Sequence, residues 1–379
     1  ADAYARWNNG ALGASAKDDY RNEMNSFGYI VELDPYDKTA LLRKRSALGR
    51  LGHENATFAR VQANQPVVAY MGDDARGEYI YKFVSKALWN PSDANAANRL
   101  AVGDKYLNEG TLYVARFKGD GSGEWMELSL DNPVIAGSSY FEFKTTADLA
   151  VFTRLAADAL GATKMDRPEW GGVNPKNGEV YFALTNNSQR NATNADAANP
   201  RVYTDLKAGK EQKGNVNGHI VHLAEASPAD KTFRWDIYLF GSEAGADRSS
   251  VNLSALTDDN DLSSPDGLVF SPATGVCWIE TDDGAYTDQT NCMLLAAVPG
   301  RVGDGTKQTL THGDKRVDTF VGKPQTAATL KRFLVGPKGA EITGICETPD
   351  GRALFVNIQH PGENTRMAEV SNPDKYESQ

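Results

Sequence analysis

Three cysteines and five histidines in 379 residues leave little material for soft-metal chemistry. No Cys-x-x-Cys pair occurs among Cys277, Cys292 and Cys346, which excludes a zinc ribbon and a thioredoxin-type redox motif. Runs of 18 or more apolar residues are absent, so no segment reads as a membrane-spanning helix, and no signal peptide is visible. Basic charge is also in deficit: 40 Lys and Arg against 50 Asp and Glu give a net charge of −10. A chain of that sign is a poor match for a nucleic-acid backbone or an anionic membrane surface. Walker loops, Gly-x-Ser-x-Gly elbows and Gly-x-Gly-x-x-Gly fingerprints do not occur, so nucleophilic serine chemistry and nucleotide cradles lack support.

What the chain does have is glycine, 35 residues, and aromatics: 14 Phe, 15 Tyr and 6 Trp. Short apolar runs bounded by Gly, Pro, Asn and Asp predict strands at residues 28–33, 67–71, 79–84, 111–117 and 219–223. Helical periodicity is strong only over residues 145–160, with Thr145 or Thr146 as cap and Gly161 as stop. Three stretches share one pattern of Pro, a Gly-containing turn and an aromatic or apolar strand. They are PKNGEVYF at 175–182, PATGVCWI at 272–279 and PDGRALFV at 349–356. Recurring turn-plus-strand units mark a β-propeller. The polar stretches 186–199, 258–264 and 303–318 read as loops, and no domain boundary stands out.

Four segments concentrate polar chemistry. His53 and Glu54 are adjacent and suit metal binding or proton transfer, or a plain surface loop. Asp73, Asp74 and Glu78 lie between two apolar strands, as hard-oxygen ligands or as a charged hairpin turn. Arg167 and Glu169 flank Pro168, which holds the backbone extended and sets both side chains on one face. They can serve a phosphate and a cation together, or pair with each other. Asp266 stands in a tight SPDGL turn ahead of a strand, to accept a backbone hydrogen bond or to bind metal near a propeller's central channel. His219 and His222 are three apart on a strand, face opposite sides and read as structural. A carboxylate-rich ligand supply selects Ca²⁺, Mg²⁺, Mn²⁺ or Fe³⁺ over zinc or copper. Cys277 and Cys292 flank a turn-rich stretch, which leaves a hairpin disulfide and two buried thiols both open.

Taken together, the chain resembles the PhoX-type bacterial alkaline phosphatases. The resemblance rests on NSFGYIVELDP at 25–35, RSALGR at 45–50, HE at 53–54, YMGDDARGEYIYKFVS at 70–85, RPE at 167–169 and FVNIQHPG at 355–362. It implies a six-bladed β-propeller with a central cluster of ferric iron and calcium. The implied reaction is hydrolysis of phosphomonoesters by metal-assisted attack of an oxygen nucleophile, outside the cytoplasm, periplasmic or secreted after twin-arginine export. Carried onto matching positions, Glu54, Glu169 and Asp266 are the implied metal ligands. Arg167 is the phosphoryl-binding residue, and Asp73 belongs to a further calcium site. A single propeller domain over residues 1–379, acting as a monomer on small phosphomonoesters, is the expectation. One departure stands out: the family's iron-binding cysteine precedes the first matching segment, and none of the three cysteines here corresponds to it. The expectation is therefore a chain that lacks an N-terminal portion or a divergent member. A calcium-dependent lactonase and a non-catalytic binding propeller are the alternatives, and Arg167 beside Glu169 argues against the former.

Overall fold

A computed structural model describes residues 10–15, 18–282, 289–362, 366, 369, 371 and 372. Antiparallel four-stranded sheets dominate it. The first runs through His53–Phe58, Pro66–Asp73, Ile80–Leu88 and Gly110–Phe117, with Ser122–Glu127 added outside. The second runs through Pro168–Val173, Val180–Leu184, His219–Ala224 and Thr232–Phe240. Pro265–Phe270, Cys277–Thr281, Met293–Ala297 and Leu330–Val335 form the third. A hairpin of Glu341–Glu347 with Leu354–Gln359 follows. The first two sheets join edge to edge where residues 122–124 pair with residues 232–234. The innermost strands of successive sheets lie side by side, which gives a propeller-like, all-β arrangement.

Side-chain periodicity explains the stacking. Val180–Leu184 is buried at every position, because both faces of its sheet are covered. One face meets Tyr70, Trp125, Phe233 and Trp235 in a shared core. The other packs Tyr181 with Leu268, Phe270 and Ile279 of the third sheet. Burial of this aromatic surface is the main force holding neighbouring sheets together.

The recurring Pro–turn–Gly units have one structural role. Each joins an innermost strand to the second strand of the same sheet. Gly178, Gly275 and Gly351 sit there at φ 77°, 76° and 67°, a left-handed conformation that glycine adopts at little cost. The predicted helix over residues 145–160 forms as two pieces, Thr146–Val151 and Thr153–Leu160. Thr145 makes the capping box with Asp148, and Gly161 closes the end at φ 65°. At the break the Arg50 N–H takes the Ala150 carbonyl from outside (2.9 Å), and the Thr153 hydroxyl takes the Leu149 (2.9 Å) and Ala150 (3.1 Å) carbonyls from within.

Other expectations differ from the structure. Of residues 28–33 only Val31–Glu32 is strand, in a two-stranded pair apart from the large sheets. Residues 303–318 hold not a loop but most of the hairpin Thr306–His312 and Lys315–Val321. Its first strand is solvent-facing, with Leu310 buried alone, and shows no apolar alternation; its second buries Val317, Thr319 and Val321 in alternation, with a threonine at the middle position. Helix Arg99–Leu107 is capped by Asn98 and has only a weak apolar stripe in the sequence. Cys277 and Cys292 are buried thiols, not a disulfide. Cys277 pairs with Ala297, the far end of the strand that Cys292 precedes, so the two cysteines sit at opposite ends of the ladder. Residues 283 and 284 of the intervening turn-rich stretch lie outside the described residues. No helix among the described residues is long and apolar enough to cross a membrane.

Candidate active site

Each innermost strand begins with an acid at the same end of the fold. Glu54, Glu169 and Asp266 are the second residues of their strands, and Glu341 is the first of its own. The first three strands share a further device. Pairing with the second strand slips between His53 and Ala56, between Pro168 and Gly171, and between Pro265 and Leu268. The acid therefore lies inside a bulge each time, where the ladder is interrupted and a side chain can be re-aimed. Two of these entries are strained. Arg167 and Ser264, each before a proline, adopt φ 59° and 52°, uncommon for non-glycine residues. Gly72 permits a close backbone approach: a Cβ there would lie 2.3 Å from the Glu169 carbonyl oxygen.

These entries gather the acids into two groups. Glu54, Asp74 and Glu169 form one; Asp266, Asp282 and Glu341 form the other. Ligand atoms within each group lie within 4.8 Å of one another, and neither group contains histidine or cysteine. Arg167 sits beside the first. Its Nε and Nη2 donate to the two oxygens of Asp74 at 2.9 Å each, and Nη2 lies 3.1 Å from Glu169 Oε1. Its Nη1 edge meets no protein partner among the described residues.

Of the residues singled out from the sequence, Glu54, Arg167 and Glu169 meet in one place, and Asp266 stands in the adjoining group. Asp73, expected at a further calcium site, belongs to neither group. It is fully buried, accepts from Arg154 Nε (2.8 Å) and Nη2 (2.5 Å) and from the Gly52 N–H (2.8 Å), and serves as a structural anion under the Glu54 strand. Its neighbour Asp74 joins Glu54 and Glu169 in the first group. Sequence reasoning also missed Asp282, Glu341 and Glu280. A usable signal existed in part, because Glu169 and Asp266 precede Pro175 and Pro272 by the same number of residues. Glu341 does not keep that spacing. His219 and His222 are structural, as expected, and His53 also bonds to backbone, whereas His360 Nε2 lies 3.3 Å from Glu341 Oε2 of the second group. His53 Nε2 lies 3.1 Å from the Gly49 carbonyl oxygen, His219 sits between Asn215 and the Ala198 carbonyl, and His222 meets Asp236.

The electrostatics are those of a site short of positive charge. Burial, then Asp74, raises the Glu54 pKa. Burial, then Asp266 and Asp74, raises that of Glu169. Burial and Glu341 hold Asp266 well above the usual carboxylate range. Glu280, wholly buried against Gly267, has no well-formed hydrogen bond to either oxygen. Burial and then Glu341 push it up to about 7, opposed by the weaker pull of the Gly344 N–H.

The sign of the pH dependence follows. A carboxyl whose folded pKa is raised contributes stability at low pH that is lost as pH rises through the folded value. The window runs from the ordinary Glu value of 4.5 to about 7. Acids with lowered pKa values, such as Asp37 and Asp93, titrate below 3.8 and fall outside it. Buried His53 and His219 act the other way below 6.5, because burial lowers their pKa values. In EDTA the Tm is therefore expected to fall between about pH 6.5 and pH 8, and Ca²⁺ at pH 8 to restore it, because a ligand that binds only the native state stabilises it. A Tm in EDTA that rises across this window, or one indifferent to Ca²⁺, refutes the reading.

The profile of the family described as alkaline phosphatase PhoX matches residues 2–362. The chain belongs to the PhoX family. Among solved structures, PhoX of Pseudomonas fluorescens in complex with vanadate, a transition-state analogue, superposes with a TM-score of 0.72 at 35% identity. The alignment covers 94% of this chain but 57% of that PhoX, so the chain spans little more than half the relative's length. A Trichoderma reesei carbohydrate-active enzyme of family AA12 aligns at 10% identity over 87% of this chain and 84% of its own, with a TM-score of 0.28, too loose to bear on fold or function. No curated protein matches. The PhoX likeness spans all the strands that carry the two acidic groups.

Proposed function

We propose that this chain carries a phosphomonoester-hydrolysing centre in which Arg167 binds the phosphoryl group and the two acidic groups hold cations. The observation that carries the reading is the Arg167 guanidinium, pinned along one edge by Asp74 and open along the other, beside six clustered carboxylates. The residues fit cations on their own chemistry. All donors are hard oxygens, and buried Glu169 Oε1 has no well-formed hydrogen bond, only its ion pair with Arg167. That donor set suits Ca²⁺ and also Fe³⁺. Glu54, Asp74 and Glu169 would hold one cation; Asp266, Asp282 and Glu341 would hold a second.

Bound cations would supply Lewis-acid polarisation of the phosphate and activation of water. The protein's own part is positional. Arg167 presents its free edge to the equatorial oxygens of the transferring group, where charge develops. Asp74 holds the guanidinium in plane, so little rotamer freedom remains to be lost on binding. The strained turn at Arg167 and Pro168 sets arginine and glutamate on one strand entry. A neutral lactone would have no comparable use for this fixed cation.

By family resemblance, the full architecture is a single six-bladed propeller, of which the described strands include three four-stranded sheets and a following hairpin. Residence in the periplasm or outside the cell after twin-arginine export, monomeric state and Fe³⁺ alongside Ca²⁺ belong to the same reading. The test is metal analysis of the purified chain, with p-nitrophenyl phosphate hydrolysis before and after chelation. The expected result is bound calcium and iron, with hydrolysis that falls on chelation and returns with Ca²⁺. Absence of bound metal together with chelation-insensitive or absent hydrolysis would falsify the proposal for this chain.

A further inference from the structure

The strands carrying Glu54 and Glu169 are the two ends of one long sheet. His53–Phe58 begins it and Pro168–Val173 ends it, and they lie side by side without a backbone ladder between them. One side chain spans the gap. Asn55 Nδ2 donates to the Gly171 carbonyl at 2.8 Å, and the Gly171 N–H donates to Asn55 Oδ1 at 3.0 Å. The amide thus pairs with the peptide as a second backbone would, and both ends of it are used. Gly171 makes the approach possible: an ideal Cβ there would lie 2.8 Å from Phe182 and 3.2 Å from Thr57 Cγ2.

The location matters more than the bonds. Asn55 follows Glu54 directly, and Gly171 stands two residues after Glu169. Without a cation the two carboxylates repel, and nothing in either strand's own ladder ties one to the other. We infer that Asn55 is a positioning residue: its clip to Gly171 holds Glu54 and Glu169 at ligating separation before any cation arrives. The site then need not pay to assemble its donors at the moment of binding. This inference rests on the cation-binding reading above and adds a residue to it that touches neither cation nor substrate.

Two measurements on the full chain test it. The first is a crystal structure of calcium-free Asn55→Ala beside calcium-free wild type. The expected result is separation of the Glu54 and Glu169 ligand atoms beyond the 4.8 Å span of the native group. The second is calcium titration by calorimetry, at a temperature where both proteins are folded. Asn55→Ala is expected to bind Ca²⁺ about 10–100-fold more weakly, the cost typical of removing a residue that orients ligands. A merely structural role would lower the calcium-free Tm and leave the affinity of the folded protein alone. Unchanged carboxylate separation, or equal affinity for Ca²⁺, overturns the inference. Wild type that binds no Ca²⁺ sinks the calcium reading instead, and the clip is then decided by the calcium-free structures. Should Asn55→Ala not fold, Asn55→Ser makes the same comparison, because its short hydroxyl cannot satisfy both Gly171 groups.

Discussion

Arg167→Ala is expected to lower kcat/KM for a phosphomonoester by about 10²–10³-fold, on the order of 3–4 kcal/mol, the scale for one preorganised donor to transition-state charge. The loss should fall mainly on kcat. A guanidinium aimed at the equatorial oxygens gains most where charge develops, not in the ground state. Arg167→Lys should recover only part of the activity. An ammonium keeps the charge, but it cannot take both oxygens of Asp74 along one edge and present a second edge to substrate. Ca²⁺ affinity serves as the control. Removing Arg167 takes a cation away from Glu169 and Asp74, so Ca²⁺ binding should hold or tighten, while phosphate binding weakens. Wild-type activity in Arg167→Ala would show that the phosphoryl group is held elsewhere.

Arg190→Ala is expected to destabilise the protein by about 3–5 kcal/mol, read from the urea midpoint in calcium-free buffer, because it strands a buried charge. Asp166 is fully buried and lies immediately before Arg167. It accepts from Arg190 Nε (2.8 Å), Asn187 Nδ2 (2.7 Å) and Asn215 Nδ2 (3.0 Å). Arg190 is nearly as buried, and its remaining nitrogens donate to the carbonyls of Asn194 (2.6 Å) and Lys164 (2.9 Å). Adding Asp166→Asn should recover part of the loss, because the unpaired charge goes with it. A single Arg190→Ala that costs less than about 1 kcal/mol would place the pair in the class of solvent-screened surface bridges. The network also gives the stretch at residues 186–199, polar and featureless as text, a structural role: its Asn187 and Arg190 are part of the counter-structure for Asp166.

Legibility in the sequence tracked the range of each interaction. Residues 67–71, 111–117 and 219–223 formed strands because short apolar runs and the turn residues that bound them act within a few positions. The capping box at Thr145 and the stop at Gly161 are local for the same reason. The Arg50 contact at the break was not legible, since Arg50 enters from about a hundred residues away. Glu54, Arg167, Glu169 and Asp266 could be singled out because each lies in a motif short enough to be read. Asp73 could not be told from Asp74 in that way. Both are ion-paired, and only the tertiary positions of Arg154 and Arg167 show that Asp73 is held away from the acidic group while Asp74 stands within it.

The sequence by itself determined the all-β architecture, the turns that begin each second strand, the hard-oxygen character of any metal site and membership of the PhoX family. These depend on composition and on order along the chain. Tertiary structure alone decided that Asp74, Asp282 and Glu341 join the acids, that three of those acids sit in matching bulges, and that Asn55 bridges to Gly171. Such facts depend on how separate sheets pack, and packing brings together residues whose spacing along the chain carries no regular signal.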